Sequence, residues 1–312
     1  MRVLITGSTG LVGTALLDAL QRQRHDVARL VRPSTRSPIV SRESSPATPD
    51  LAWDPIAGTL DAAANGANAI VHLAGASIAA GRWTASRKRL LRDSRVAATR
   101  HLVEALGQLP HPPKVFVAAS AIGFYGDRGE EELTESSAPG QDFLADLCRD
   151  WEAESGRAAA FGARVVLLRF GIILARRGGA LPSMALPFRL GAGGRIGSGR
   201  QWMSWLALQD AVGIIGYALE NSSLSGPVNA VAPHPVRNAD FAATLGRVLH
   251  RPALIPTPGF VLRLALGEMA DALLLSSQRV LPKTLQRLGF PLLHQALEPA
   301  LQSILRRQSL DP

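Results

Sequence analysis

Short runs of buried-type residues at 3–6, 27–31, 69–73, 115–119 and 165–170 punctuate the first half of the chain. Between them, near 11–24, 85–109 and 143–160, lie longer stretches whose apolar residues recur at helical spacing. Such alternation predicts βαβ units on a parallel sheet. The segment 33–50, rich in serine, proline and arginine, has no period and reads as a long loop. Beyond about residue 175 glycines crowd 178–199, Trp202 and Trp205 follow, a helical run covers 210–220, and 228–231 reads as a further strand. The remainder is helical and broken by Pro252, Pro256 and Pro258. The expected architecture is α/β: a doubly wound parallel sheet over 1–175, completed by 205–232, with a smaller, mainly helical lobe over 176–312.

The first strand breaks into Gly7, Gly10 and Gly13, three residues apart, with Thr9 in the turn and Leu11 and Val12 opening the helix. At a strand–turn–helix crossover this pattern makes a phosphate cradle. Gly7 permits the turn, Gly10 clears the way for a pyrophosphate against helix amides, and Gly13 lets the helix approach the sheet. The expected fold is therefore of the Rossmann type, with a bound dinucleotide. The second strand starts at Asp26, the wrong end of a parallel sheet for a ligand, and finishes at Arg32 with Ser34 and Arg36 behind it. A guanidinium there suits a 2′-phosphate, so NADP(H) is expected in preference to NAD(H). Leu73, Ala74 and Gly75 close the strand at 69–73 with small side chains, beside which the adenosine half would lie; Asp54 is a candidate for the adenine side.

With 46% hydrophobic residues and a mean hydropathy of +0.11, the 312-residue chain can bury a large core. The formal charge of +9 raises the question of nucleic acid, but 31 of the 34 basic residues are arginines spread along the chain. Aromatic interleaving is missing, and no specific nucleic-acid partner is expected. No apolar run reaches the roughly 20 residues that span a bilayer, and no signal-peptide pattern opens the chain, so the expectations are a cytoplasmic address and no membrane partner. Cys148, the one cysteine, excludes an internal disulfide, and the histidines show no metal-ligand spacing. The expected partner is a small-molecule substrate, and a homodimer is compatible with the composition.

Short-chain dehydrogenases set a tyrosine four residues before a lysine for proton transfer. The two tyrosines here, Tyr125 and Tyr217, are followed at that spacing by Gly129 and Asn221, so the pair is absent. The chain nevertheless resembles the atypical, epimerase-like members of the short-chain dehydrogenase/reductase superfamily, such as the YfcH-type proteins. The resemblance rests on TGSTGLVG at 6–13, HLAG at 72–75, GRWT at 81–84 leading to Asp93-Ser94-Arg95, and SAIGFYGD at 120–127. It continues through DFLA at 142–145, Trp151-Glu152 and GSGRQWMSW at 197–205. Leu266 to Glu268, Ser277 to Val280 and Gly289-Phe290 look like the family's extra C-terminal domain, at about 250–300.

The resemblance implies NADP binding with the substrate unassigned. It sets the superfamily's tyrosine and lysine positions near Leu144 and Cys148, its asparagine near Arg95, and its serine at Ser120 or Ala121. Ser120 and Tyr125 are the catalytic candidates, and Arg95 is a cofactor-binding candidate that would hold an anion. Asp127, Arg128, Arg200, Gln201 and Trp202 are substrate candidates, with Glu135 a further proton acceptor; the alternative for Tyr125 to Arg128 is a turn with a packed ring and solvated charges. Two functions stand: an NADP-dependent epimerase-like oxidoreductase acting on a small carbonyl or sugar-nucleotide-like substrate, or a non-catalytic NADP-binding redox sensor or partner-binding module.

Overall fold

The computed structural model describes residues 1–33 and 48–306. Its strands are β1 (Arg2–Thr6), β2 (Asp26–Val31), β3 (Asp50–Asp54), β4 (Thr59–Leu60), β5 (Ala69–His72), β6 (Val115–Ala121), β7 (Glu132–Leu133) and β8 (Arg164–Phe170). There follow β9 (Ile172–Leu174), β10 (Trp202–Met203), β11 (Trp205–Ala207), β12 (Gly226–Ala230), β13 (Val236–Arg237) and β14 (Arg279–Val280). The helices are α1 (Leu11–Arg22), α2 (Ala85–Arg92), α3 (Ala98–Gly107), α4 (Phe143–Gly156), α5 (Leu181–Arg189) and α6 (Leu208–Glu220). The remaining helices are α7 (Asn238–Leu249), α8 (Gly259–Leu266), α9 (Glu268–Ala270), α10 (Lys283–Arg287) and α11 (Leu297–Arg306).

Eight strands form one sheet in the order β12-β8-β6-β5-β1-β2-β3-β4, parallel throughout except for the β3–β4 pair. Alternation along β1 decides which side chain meets which layer. Val3 and Ile5 face Leu16 and Leu20 of α1 and Ile214 and Ile215 of α6. Leu4 faces the opposite layer, with Leu102 and Leu106 of α3 and Phe116. Both faces are covered, as a parallel sheet requires. Asp26, at the amino edge, pairs with Arg2 at 3.6 Å, far from any ligand end of the sheet.

The helical stretch near 85–109 is not continuous. A π turn over Asp93–Ala97 separates α2 from α3; Arg89 and Arg92 before it are exposed, whereas Arg95 within it is partly buried. The smaller lobe has its own core, in which Phe188, Trp205, Phe241, Leu245 and Leu301 join α5, α7 and α11. It is stitched back to the loop after β6: β14 pairs in parallel with β7, and the Ser277 amide donates to Asp127 Oδ1 at 3.0 Å.

Two glycines in helices meet opposite surroundings. A Cβ on Gly13 would lie 2.2 Å from the Gly7 carbonyl oxygen, whereas one on Gly216 in α6 meets nothing within 4 Å. Gly13→Ala is therefore expected to destabilise the fold by at least about 2 kcal/mol, and Gly216→Ala to stabilise it by about 0.5–1 kcal/mol. Urea unfolding midpoints of the two variants check both signs.

Candidate cofactor and substrate site

Because β1, β2, β5 and β6 run parallel, Gly7, Arg32, Leu73 and Ala121 all lie at the carboxyl edge of the sheet. Gly7 has φ +69°, and a Cβ there would sit 2.7 Å from the Leu73 carbonyl, so only glycine lets the first turn press onto the strip after β5. Gly10 is the N-cap of α1 and supplies no side chain to its amides; a Cβ there would approach only the Gly7 oxygen, at 3.3 Å. The first turn of α1 thus ends in a cradle open to an anion. Gly178 and Gly179, both with positive φ, pass over the Leu11 side chain at its rim.

Thr6 organises the neighbouring strip. Its hydroxyl accepts from the amides of Leu73 (3.1 Å) and Ala74 (3.2 Å), which leaves its own hydrogen for His72 Nδ1 at 2.7 Å. His72 Nε2–H consequently donates to Thr99 Oγ1 at 2.9 Å, which also accepts from Trp151 Nε1. Burial, helped by the charge of Arg95, lowers the His72 pKa from 6.5 to about 4 and holds the ring neutral.

The π turn delivers Arg95 to this strip. Its guanidinium carbon lies 3.1 Å from where a Gly75 Cβ would be and 5.2 Å from the Trp151 ring centre. Nη1 is buried without a hydrogen-bond partner, and burial lowers the guanidinium pKa. A cradle that a Cβ would narrow and an unpartnered buried cationic donor fit a phosphate-bearing ligand. Arg32, just past β2, is exposed on the same edge, and Thr9 lies in the exposed part of the first turn. Asp54 closes its own turn, accepting from the amides of Ile56 (2.8 Å) and Ala57 (3.1 Å), which lowers its pKa. Ser34 and Arg36 lie outside the described residues.

The expected proton-transfer groups are placed differently from their expectation. Ser120 is buried, with its hydroxyl donating to Glu152 Oε1 at 2.6 Å. Tyr125 is fully enclosed because a 3-10 turn over Ile122–Tyr125 folds the ring inward, and its hydroxyl donates to Asn229 Oδ1 at 2.7 Å and accepts from Arg169 at 3.0 Å. Burial raises its pKa. Both hydroxyls are hydrogen-bonded within the protein. The hub is Arg169, which grips both oxygens of Glu152 (2.8 and 2.7 Å) and lies 3.5 Å from the Phe124 ring centre. Cys148, one helical turn before Glu152, has its thiol pushed up to about 12 by burial. Glu135, the other expected proton acceptor, receives the amides of Asn229 and Thr284, each at 3.1 Å.

The substrate candidates divide. Asp127 lines a cleft of about 210 Å³ with Trp83, Phe143 and Arg263. Gln201 lines an adjoining cleft of about 530 Å³ with Pro258, Phe260 and Arg263. Arg128 is paired with Glu131 and donates to the Ala138 carbonyl; Arg200 is exposed, and its carbonyl accepts from Arg237. Neither lines these clefts. Trp202 is clamped between Arg237 (4.3 Å) and Arg279 (4.8 Å), its indole N–H on Glu130. Among the described residues no cluster of ligands fit for a metal ion is present, and no helix is long and apolar enough to cross a membrane.

The residues missed by sequence reasoning are Thr6, His72 and Thr99 as positioners, and Glu152, Arg169 and Asn229 as network members. A charge inside the otherwise apolar run RVVLLRF at Arg164–Phe170 was the available signal, because a buried arginine needs an acid opposite it.

The chain has relatives in sequence and in fold. The model of the NAD dependent epimerase/dehydratase family matches residues 3–231, and that of a domain of unknown function, DUF1731, matches 257–304. The chain belongs to the NAD dependent epimerase/dehydratase family. Its epimerase-like, atypical short-chain dehydrogenase/reductase group includes an epimerase family protein of Mycobacterium leprae, 40% identical over 308 residues that cover 98% of this chain and 96% of the relative. The human epimerase family protein SDR39U1 is 36% identical over 98% of this chain and its whole length. A crystal structure of human SDR39U1 with NADPH superposes with a TM-score of 0.86 at 35% identity, covering 98% of this chain and 100% of that one. UDP-glucuronic acid 4-epimerase from Bacillus cereus, solved with its sugar nucleotide and NAD, shares the fold at TM-score 0.77 and 17% identity, covering 98% of each chain.

Two outcomes follow for this family member. An unfolded histidine takes up a proton below its ordinary pKa of 6.5, which folded His72 resists down to about 4, so the stability that neutral burial contributes is lost as the pH falls through that window. Wild type should lose about 2 kcal/mol more than His72→Gln between pH 7 and 5 in urea unfolding. Glu152→Gln, which strands Arg169, should cost about 3–5 kcal/mol, and Glu152→Leu combined with Arg169→Met should recover much of that loss in the same assay.

Proposed function

We propose that the chain binds NADP(H) along the carboxyl edge of its sheet and acts as an epimerase-like oxidoreductase on a small carbonyl or sugar-nucleotide-like substrate. The observation that carries this reading is the open cradle at Gly10 facing the same edge as the unpartnered buried Nη1 of Arg95. Gly7, Thr9, Gly10, Leu11, Val12 and Gly13 would receive the diphosphate, with Leu73, Ala74 and Gly75 flanking the nucleoside and Asp54 on the adenine side. Arg32 would take the 2′-phosphate, and Arg95 a second anionic oxygen. The NADPH in the human SDR39U1 structure supports the choice of dinucleotide. A bound nicotinamide supplies the hydride acceptor or donor.

What the chain itself contributes is position and exclusion of water. Thr6 and His72 hold the Leu73–Ala74 amides, and near the superfamily's tyrosine and lysine positions, as the resemblance sets them, stand a buried Leu144 and the buried Cys148 thiol, which burial keeps neutral. The substrate would lie in the adjoining clefts lined by Asp127, Gln201 and Arg263. The commitment of the Ser120 and Tyr125 hydroxyls to the protein favours the second reading, a non-catalytic NADP-binding sensor or partner module.

Fluorescence titration separates the cofactors: NADPH should bind more tightly than NADH, and Arg32→Ala should weaken NADPH about tenfold or more while leaving NADH unchanged. Equal affinities, unaffected by the substitution, would remove the 2′-phosphate assignment. Stereospecifically deuterated NADPH should lose its label to at least one member of a panel of aldehydes, ketones and sugar nucleotides; full retention supports the sensor.

A further inference from the structure

The positive charge of this chain has an address in the fold. Residues 176–209 hold five arginines, 241–267 hold three, and neither segment contains an aspartate, glutamate or lysine. Together they contribute +8 of the formal +9, so the rest of the chain is nearly neutral. Backbone bonds join the two segments into one surface: the Ile255 amide donates to the Gly193 carbonyl at 3.0 Å, and the Thr257 amide to the Arg195 carbonyl at 2.9 Å. Seven of the eight arginines are exposed; of these, Arg247 pairs with Glu298 and Arg263 with Asp271, both at 2.9 Å, and Arg177, Arg189, Arg195, Arg200 and Arg251 make no ion pair with a carboxylate among the described residues.

The same two segments carry most of the exposed large apolar side chains. Six of the eight residues of α8 are apolar, yet none of the helix is buried. Phe260 and Leu264, one turn apart, are 70% and 78% exposed; Leu254 ahead of the helix is 83% exposed and Leu190 at the end of α5 is 75% exposed. Soluble proteins seldom leave so many large apolar groups together in water.

We infer that α8, with the 190–195 and 251–257 segments beside it, docks on an anionic phospholipid surface. The apolar tips enter the acyl boundary, while arginine stems lie along it with their heads among the phosphates. Charge selects this occupant. A second copy of the chain would set arginine against arginine, and a nucleic-acid backbone would satisfy the arginines but leave the leucines and Phe260 in water. The contact is peripheral, because no described helix can span a bilayer. It departs from the expectation of no membrane partner, which rested on the absence of a spanning segment. Phe260 and Arg263 also line the larger cleft, so the docked face borders the mouth of that cleft.

Cosedimentation of the full chain with vesicles tests this. Vesicles of phosphatidylcholine and phosphatidylserine in equal parts should capture the protein at about 0.1 M salt and release it at about 0.5 M, and phosphatidylcholine alone should capture at least about tenfold less. Leu254→Ser with Leu264→Ser, and separately Arg189→Glu with Arg251→Glu, should each weaken capture about tenfold or more, with melting temperature and NADPH affinity unchanged. The inference is overturned if wild-type protein ignores the mixed vesicles, binds both compositions equally, or binds as before in both variants. It is equally overturned if the protein takes up duplex DNA but not vesicles, or if Leu254→Ser with Leu264→Ser turns a dimer into a monomer by light scattering. NADPH titration of the same preparations reads the dinucleotide site separately.

Discussion

The Thr6–His72 contact, 2.7 Å between a hydroxyl and a ring nitrogen at the carboxyl ends of the parallel pair β1–β5, sets the geometry of the edge. It fixes the height of the Leu73–Ala74 strip, and Gly7 is pressed onto that strip so closely that no side chain fits. Gly13 in turn rests on Gly7, which fixes where α1 begins and hence where its first amides point. The chain of close approaches runs from a buried neutral histidine to the helix end without a charged group in it. The cradle is therefore rigid and neutral apart from the partial charge of the helix end, which suits a doubly anionic diphosphate.

Two arginines, Arg169 buried and Arg95 partly buried, are treated in opposite ways. Arg169 is satisfied by both oxygens of Glu152 and by stacking on Phe124, so its charge holds β8 to α4 and keeps Ser120 and Tyr125 locked in place. Arg95 has no carboxylate partner among the described residues and keeps a buried donor unused. In physical terms the first is a fastener and the second a receptor, because a buried guanidinium without an anion is costly until one arrives.

Backbone requirements were readable from the chain because residue identity encodes them. Glycine at 7, 10 and 13 is demanded by close approach, and the alternation of apolar runs gives the parallel sheet and its covering layers. Orientation was harder to read. Tyr125 lies in the loop that follows the strand pointing at the site, but a 3-10 turn folds it inward, and nothing in its neighbours announces that turn. Arg95 was legible as an anion-holding candidate through the resemblance, but its position against Gly75 comes from the π turn, which the sequence pattern does not show. The charge surplus was visible as a total, whereas the juxtaposition of its two arginine-bearing segments required the pairing of 193–197 with 255–257, two glycine- and proline-rich stretches without periodicity.

The chain belongs to the epimerase/dehydratase family, and in the function proposed above the glycine-capped start of α1 receives the diphosphate. A crystal structure of the complex with NADP+ measures this directly. Diphosphate oxygens should lie within hydrogen-bonding distance of the Leu11 and Val12 amides, with Gly10 against the bridging phosphates. A nucleotide bound elsewhere, or a first turn of α1 left without a phosphate contact, would contradict it.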